Sequence, residues 1–263
     1  MASEPGPPAT VISQPGPPAT VISEPGPLAT VISEPGPLAT VIPVPGPLAT
    51  TLLLVRHAET DDNVNMRLSG WTDTDLSPRG ESQIELLADH FNREHGHIEA
   101  LYSSPLIRAR RTAEAIGALT GHVPILLDDL REMYFGELDG HPFEELREAY
   151  AHLLAADENS EIADFVWPSG ESRTGFTARV LGVINGIARR HPGRPVGVVT
   201  HGGVIATLLT ILHGESAARW RKWVVPNASL SEIVWDADIQ SGALLRHGDA
   251  THLAALSAFE AEP

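Results

Sequence analysis

Apolar residues fall into two alternating patterns along this chain from about residue 51 onward. The first is a short, nearly unbroken run that stops abruptly at polar residues, as in TLLLVR at 51–56 and PVGVVT at 195–200. Runs of this length, rich in Val or Leu, predict strands buried on both faces, as in a parallel sheet. In the second pattern the apolar positions recur every three or four residues. Ile84, Leu87, Ala88 and Phe91 do so behind Ser77-Pro78, an N-cap followed by proline at the first helical position, and Gly96 ends that helix. Ser104-Pro105 repeats the start signal for a helix through Leu119, and Val180, Val183, Ile184 and Ile187 mark another over 172–190. Residues 204–212 are apolar all round and predict a buried helix. Further strands are predicted at 98–102 and 123–127, with a closing pair at 230–235 and 243–247. The stretches 58–74 and 130–140 are expected to be loops, and 141–165 an acidic, weakly patterned helical insertion. Strands alternating with helices give an α/β fold, a three-layer sandwich with a mostly parallel central sheet flanked by helices.

Residues 1–50 are of another kind. A decapeptide recurs, PGPPATVISQ, PGPPATVISE, PGPLATVISE, PGPLATVIPV, before the truncated PGPLAT. The prolines block regular strand pairing, the glycine between them allows a tight turn, and each Ala-Thr-Val-Ile piece is too short to bury a core. Glycine every tenth residue is not the every-third spacing of a collagen helix. The expectation is a disordered low-complexity tail over 1–50 and a catalytic domain over 51–263, with the boundary near 48–51.

Composition narrows the function classes. With 42% hydrophobic and 20% charged residues the chain is of soluble globular type, and its net charge of −16 argues against a general nucleic-acid or anionic-membrane surface. A local cluster of Arg and His can still dominate one pocket of an acidic body. There is no cysteine, which excludes disulfides, thiolate metal sites and a Cys nucleophile. Neither a membrane-spanning run nor a signal peptide is evident, so the expected location is cytoplasmic.

The two strongest strands both end in histidine. Ligands of open α/β sheets sit beyond the carboxyl ends of the strands, where Arg56, His57 and His201 all fall. A neutral imidazole can attack phosphorus at pH 7 without first losing a proton, so His57 is the nucleophile candidate. Its second ring nitrogen then needs an acceptor, for which a backbone carbonyl in the loop is expected. Arg56, Arg108 and His201 form the expected clamp on the equatorial phosphate oxygens, with Arg108 in the first turn of its helix. Arg110 and Arg111, on the same helix, are expected to be solvated. Gly202-Gly203 can turn free N–H groups toward phosphate or simply make a tight turn. No metal-ligand spacing surrounds His57, Glu59 and Asp61, and Arg56 would repel a cation, so neither a metal nor a cofactor is expected.

The ordered motifs resemble those of the histidine phosphatase superfamily, which includes the cofactor-dependent phosphoglycerate mutases. The first is Arg56-His57-Ala58-Glu59-Thr60 with Asn63, Ser69-Gly70-Trp71, Leu76-Ser77 and Gly80; the second runs from Ser104-Pro105 through Ala113. Leu130-Arg131-Glu132 with Phe135-Gly136-Glu137-Leu138-Asp139-Gly140 is similar to the third. Gly170-Glu171-Ser172 and Thr200-His201-Gly202-Gly203 are similar to the fourth and fifth. The resemblance spans about 51–233 and implies the phosphoglycerate mutase-like fold. It also implies Glu132 as proton donor and acceptor, where the residues alone leave Asp128, Asp129, Glu137, Asp139 and Glu144 as rivals and Glu59 as a weaker one. Asn63, Ser69 and Gly70 are implied as phosphate or substrate contacts, whereas Asp61 and Asp62 are expected to be solvated loop charges.

The implied activity is hydrolysis of a small phosphorylated metabolite through phosphohistidine, with a phosphoglycerate mutase as the alternative. A mutase needs extra cations after the third motif; here Met133 follows Glu132, and 140–170 holds one basic residue, Arg147. The Phe135–Gly140 pattern and His201-Gly202-Gly203 also look like the phosphatase branch. Met133, Tyr134, Phe135 and Trp167 suggest an apolar or ring-bearing leaving group. A catalytically inactive phosphate-binding scaffold is the reading from another class, and dimers are common among families of this resemblance.

Overall fold

A computed structural model of the chain describes residues 46, 48–158 and 164–259. The expected disordered tail lies, apart from Gly46 and residues 48–50, outside the described residues, as do 159–163 of the expected insertion.

Six strands form one sheet in the order β3-β2-β4-β1-β5-β6. They are β1 (Thr50–Arg56), β2 (Ala100–Ser103), β3 (Ile125–Leu126), β4 (Pro195–Thr200), β5 (Leu230–Asp236) and β6 (Ser241–Asp249). The first four are mutually parallel, as the pattern predicts, while β5 runs antiparallel to β1 and β6 antiparallel to β5. Side chains alternate along β1, so Leu52 and Leu54 enter one core while Leu53 and Val55 enter the other. The first core is filled by Val180, Ile184 and Ile187 of α6 (Arg173–Arg190) and Val204, Ile205 and Leu208 of α7 (Gly202–Leu212). The second is filled by Leu87 and Phe91 of α2 (Pro78–His95) and Ala109, Ala113 and Ile116 of α3 (Ile107–Thr120). Each fully buried Leu or Ile contributes about 1.5–3 kcal/mol, which is why the central strands read as unbroken apolar runs.

Several boundaries differ from expectation. The loop after β1 contains a one-turn helix, α1 (Asp61–Val64), closed by a capping box between Thr60 and Asn63. Helix α3 begins three residues after Ser104, with Leu106 as its N-cap; the Ser104 Oγ accepts from Leu106 N–H at 3.4 Å and lies 2.8 Å from His201 Nε2. Strand β3 keeps two residues of an expected five; it is a sheet edge, and Val123 is 87% exposed. The insertion forms α4 (Phe143–Ala149) and α5 (Ala151–Glu158). Thr50 belongs to β1, its Oγ1 donating to the carbonyls of Ala188 and His191, while Gly46 N–H donates to Asp236 at 3.0 Å. No helix among the described residues is long and apolar enough to cross a membrane.

Candidate active site

Strand register brings the two histidines together. Arg56 pairs with Thr200 across β1 and β4, so the next residue of each strand, His57 and His201, leaves the sheet at the same level. His57 N–H donates to the Thr200 carbonyl at 3.0 Å, and the two imidazole rings lie 5.2 Å apart, both buried. Arg108 enters from the second residue of α3 and is fully buried.

The His57 ring is oriented by the Ala58 carbonyl, 2.7 Å from Nδ1, which fixes the proton on Nδ1 and leaves the Nε2 lone pair free. Burial, and then the charges of Arg108 and Arg56, hold the His57 pKa well below the usual histidine value. The ring is therefore neutral at pH 7. His201 is depressed in the same way, by burial and then by Arg108 and His57. Its Nε2 lies 2.8 Å from Ser104 Oγ, and with that hydroxyl donating, the ring proton sits on Nδ1.

Arg56 donates to the Val225 carbonyl at 2.5 Å, and Arg108 to those of Thr72 and Gly70 at 2.8 and 2.7 Å. These bonds leave Arg56 Nε, Arg108 Nε and His201 Nδ1 buried without partners among the described residues. Each such buried donor costs about 1–3 kcal/mol, a cost that an acceptor reaching it would relieve.

Glu132 is held on both sides. Its Oε1 accepts from Met133 N–H at 2.9 Å and its Oε2 from Gly203 N–H at 2.8 Å. Its carbonyl accepts from Trp71 Nε1 and from Arg179, which also binds the Arg131 carbonyl and is paired with Glu171 at 2.6 Å. Thr200 Oγ1 ties the Leu130 carbonyl to the end of β4. Thr200 is marked in the sequence only as part of the fifth motif, and Arg179 is not marked at all; Glu171, in the fourth motif, is the one signal that points toward Arg179.

A cavity of about 390 Å³ is lined among others by Arg56, His57, Asn63, Ser69, Glu132 and Gly202, whereas Arg108 and His201, both fully buried, are not among its lining residues. Asn63 faces it while its Oδ1 accepts from Thr60 N–H and Asn227. Ser69 faces it while donating to Asp62 at 2.7 Å. Gly70 does not line it; its carbonyl holds Arg108, and its N–H donates to Asp139 at 2.6 Å. Gly202 packs against the Arg56 guanidinium, and the Gly203 N–H is spent on Glu132.

Asp62 departs from expectation. It is buried, accepting from Ser69 and Thr74, because the loop it organises folds back over it. Glu59 is bound by Ser77 and Arg79 and does not line the cavity. Arg110 and Arg111 lie at the surface, paired with Glu114 and with Asp75 and Glu81. Of the expected apolar lining, Met133 and Phe135 face the cavity, whereas Trp167 is packed in the core and Tyr134 lies against Trp71. The cations that are sparse just after the third motif come from elsewhere in the chain: Arg67, Arg173 and Arg221 all line the cavity. No cluster of three or more His, Cys, Asp or Glu side chains among the described residues is placed to hold a metal ion.

Known proteins share this framework. The chain is 33% identical over 181 residues to the uncharacterized phosphatase PhoE of Bacillus subtilis, covering 68% of this chain and 86% of that protein. It is 33% identical over 184 residues to phosphoserine phosphatase 1 of Hydrogenobacter thermophilus, covering 69% and 85%. The solved structure of mycobacterial glucosyl-3-phosphoglycerate phosphatase matches with a TM-score of 0.67 at 29% identity, over 77% of this chain and all of that one. The sequence profile of the histidine phosphatase superfamily (branch 1) matches residues 52–251, and the chain belongs to that family.

Proposed function

We propose that the chain is a phosphomonoesterase that passes the phosphoryl group of a small phosphorylated metabolite to His57 and then to water. The observation that carries this reading is the neutral His57, its Nδ1 proton fixed on the Ala58 carbonyl, beside three buried donors without partners. In the first step the Nε2 lone pair attacks phosphorus and the ester P–O bond breaks. The leaving alkoxide takes a proton from Glu132, while Arg56, Arg108 and His201 hold the equatorial oxygens. In the second step the Glu132 carboxylate takes a proton from water, whose oxygen attacks phosphorus. The P–N bond breaks, releasing phosphate and returning the neutral imidazole.

Relatives named as phosphatases, two of them for phosphoserine and glucosyl-3-phosphoglycerate, favour hydrolysis of small esters over isomerisation. The test is turnover with a phosphoryl-labelled substrate, quenched in alkaline detergent so that the acid-labile P–N bond survives. Label trapped on the protein, and lost with turnover by at least about a thousandfold in His57→Ala, is the expected result. Efficient isomerisation of 3-phosphoglycerate primed by the bisphosphate would instead mark a mutase, and phosphate binding with no trapped label a scaffold.

A further inference from the structure

A polar side chain beside the reacting groups has no part in the chemistry described above. Asn227 lies in the loop between the helical segment Ala217–Trp223 and β5, and it does not line the catalytic cavity. It lines instead a second cavity, of about 380 Å³, which shares Arg56 with the first. From there its Nδ2 donates to the His57 carbonyl and to Asn63 Oδ1, at 3.1 Å each.

A side-chain amide fits either way round unless its neighbours decide the matter. Here the backbone decides it. Thr60 N–H can only donate, so the Asn63 atom that faces it at 3.2 Å is the oxygen. Asn227 then presents its NH2 group to that oxygen, as it does to the His57 carbonyl, which can only accept. With Oδ1 taken by two donors, the NH2 group of Asn63, without a partner among the described residues, is what this side chain offers to the catalytic cavity it lines.

The loop that carries Asn227 is itself pinned. The Val225 carbonyl accepts from Arg56, Ala228 N–H donates to the His57 carbonyl at 3.1 Å, and the Ala228 carbonyl lies 3.0 Å from His252 Nε2. Ala228 is fully buried at a φ of 54°, a left-handed backbone that a residue with a Cβ keeps only where its surroundings over-determine it.

Resting on the phosphatase reading above, we propose that Asn227 is a positioning residue for phosphoryl transfer. It locks the Asn63 amide with the NH2 group toward the phosphoryl oxygens, and it ties that amide to the backbone of the nucleophile. Neither acceptor depends on Asn227 alone. The His57 carbonyl keeps Ala228 N–H, and Asn63 Oδ1 keeps Thr60 N–H, so removing Asn227 costs orientation and leaves the fold in place.

The test is a double-mutant cycle on the full chain, read by turnover of p-nitrophenyl phosphate and by inhibition with inorganic phosphate. Asn227→Ala should lower kcat/KM by about tenfold and weaken inorganic phosphate to a similar degree. In an Asn63→Ala background the same change should cost less than about twofold, because the group it orients is gone. Asn227→Leu keeps most of the bulk without the donor and should behave as Asn227→Ala does; it serves for the cycle if the alanine variant fails to fold. A mild leucine variant would mean that the side chain only fills space, and losses that multiply in the double variant would mean that it acts apart from Asn63. Either result would overturn the proposal. Failure of the unaltered chain to hydrolyse any ester would instead remove the phosphatase reading and the positioning role with it.

Discussion

Gly203 donates to one oxygen of Glu132, and a Cβ there would run into the other. Gly203→Ala therefore displaces the carboxylate without touching His57. Because kcat/KM reports only the steps up to release of the alcohol, the loss should depend on the leaving group. An alkyl phosphate should lose about a hundredfold, and p-nitrophenyl phosphate, whose leaving group needs no proton, far less. Equal losses for the two would remove Glu132 from the proton-transfer role. The residues legible in the sequence are those ending a strand, His57 and His201, since an apolar run that stops short marks the polar residue at its end. Gly203 as a tether for Glu132, and Asp62 as a buried loop anchor, are hidden there, because each depends on a partner brought close only by the fold.

At the scale of elements, the site depends on a loop that no secondary structure holds. Asp139 accepts the N–H groups of Gly70 and Trp71 at 2.6 Å each and of Thr72 at 3.2 Å. The carbonyls of Gly70 and Thr72 in turn hold Arg108. Asp139→Asn weakens three charge-assisted bonds and should cost about 2 kcal/mol of stability, a Tm fall of roughly 4–8 °C. Phosphate or vanadate binding should weaken by about tenfold with it, because Arg108 loses its seat. A variant with lowered Tm but unchanged anion affinity would show that Arg108 is held by packing alone. The Phe135–Gly140 motif is visible in the sequence, but its action on residues nearly seventy positions earlier is not. Likewise the start of α3 falls later than its local signal: Ser104, a good cap by residue type, accepts from Leu106 N–H before the helix and meets His201 from the end of β4. Elements with period and length, β1, β4, α2 and α6, are legible; the short edge strand β3 is not.

For the molecule as a whole, the buried histidines tie stability to pH. His57 and His201 have folded pKa values well below 6.5, and those of His95, His191 and His252 are lowered by burial as well. Below about pH 6.5 the unfolded chain binds protons that the native state refuses, so stability falls as pH falls, by up to about 1.4 kcal/mol per pH unit for each group. Thermal melts between pH 7 and 5 should show a declining Tm, and His57→Asn should flatten the slope. A saturating oxyanion should raise Tm at every pH, by about 2.7 kcal/mol of stabilisation at a hundred times its Kd. A Tm indifferent to pH over this range, or an unchanged slope in the variant, would contradict the assignment of neutral rings.

The parts of the cavity also differ in where they are rooted. His57 and His201 hang from the ends of strands packed on both faces, where almost any change disturbs the core. Arg67, Arg173 and Arg221 hang instead from a loop, a helix start and a short helical segment at the periphery. Substitution at these outer positions can therefore change which molecules fit while leaving the strand-borne histidines where they are.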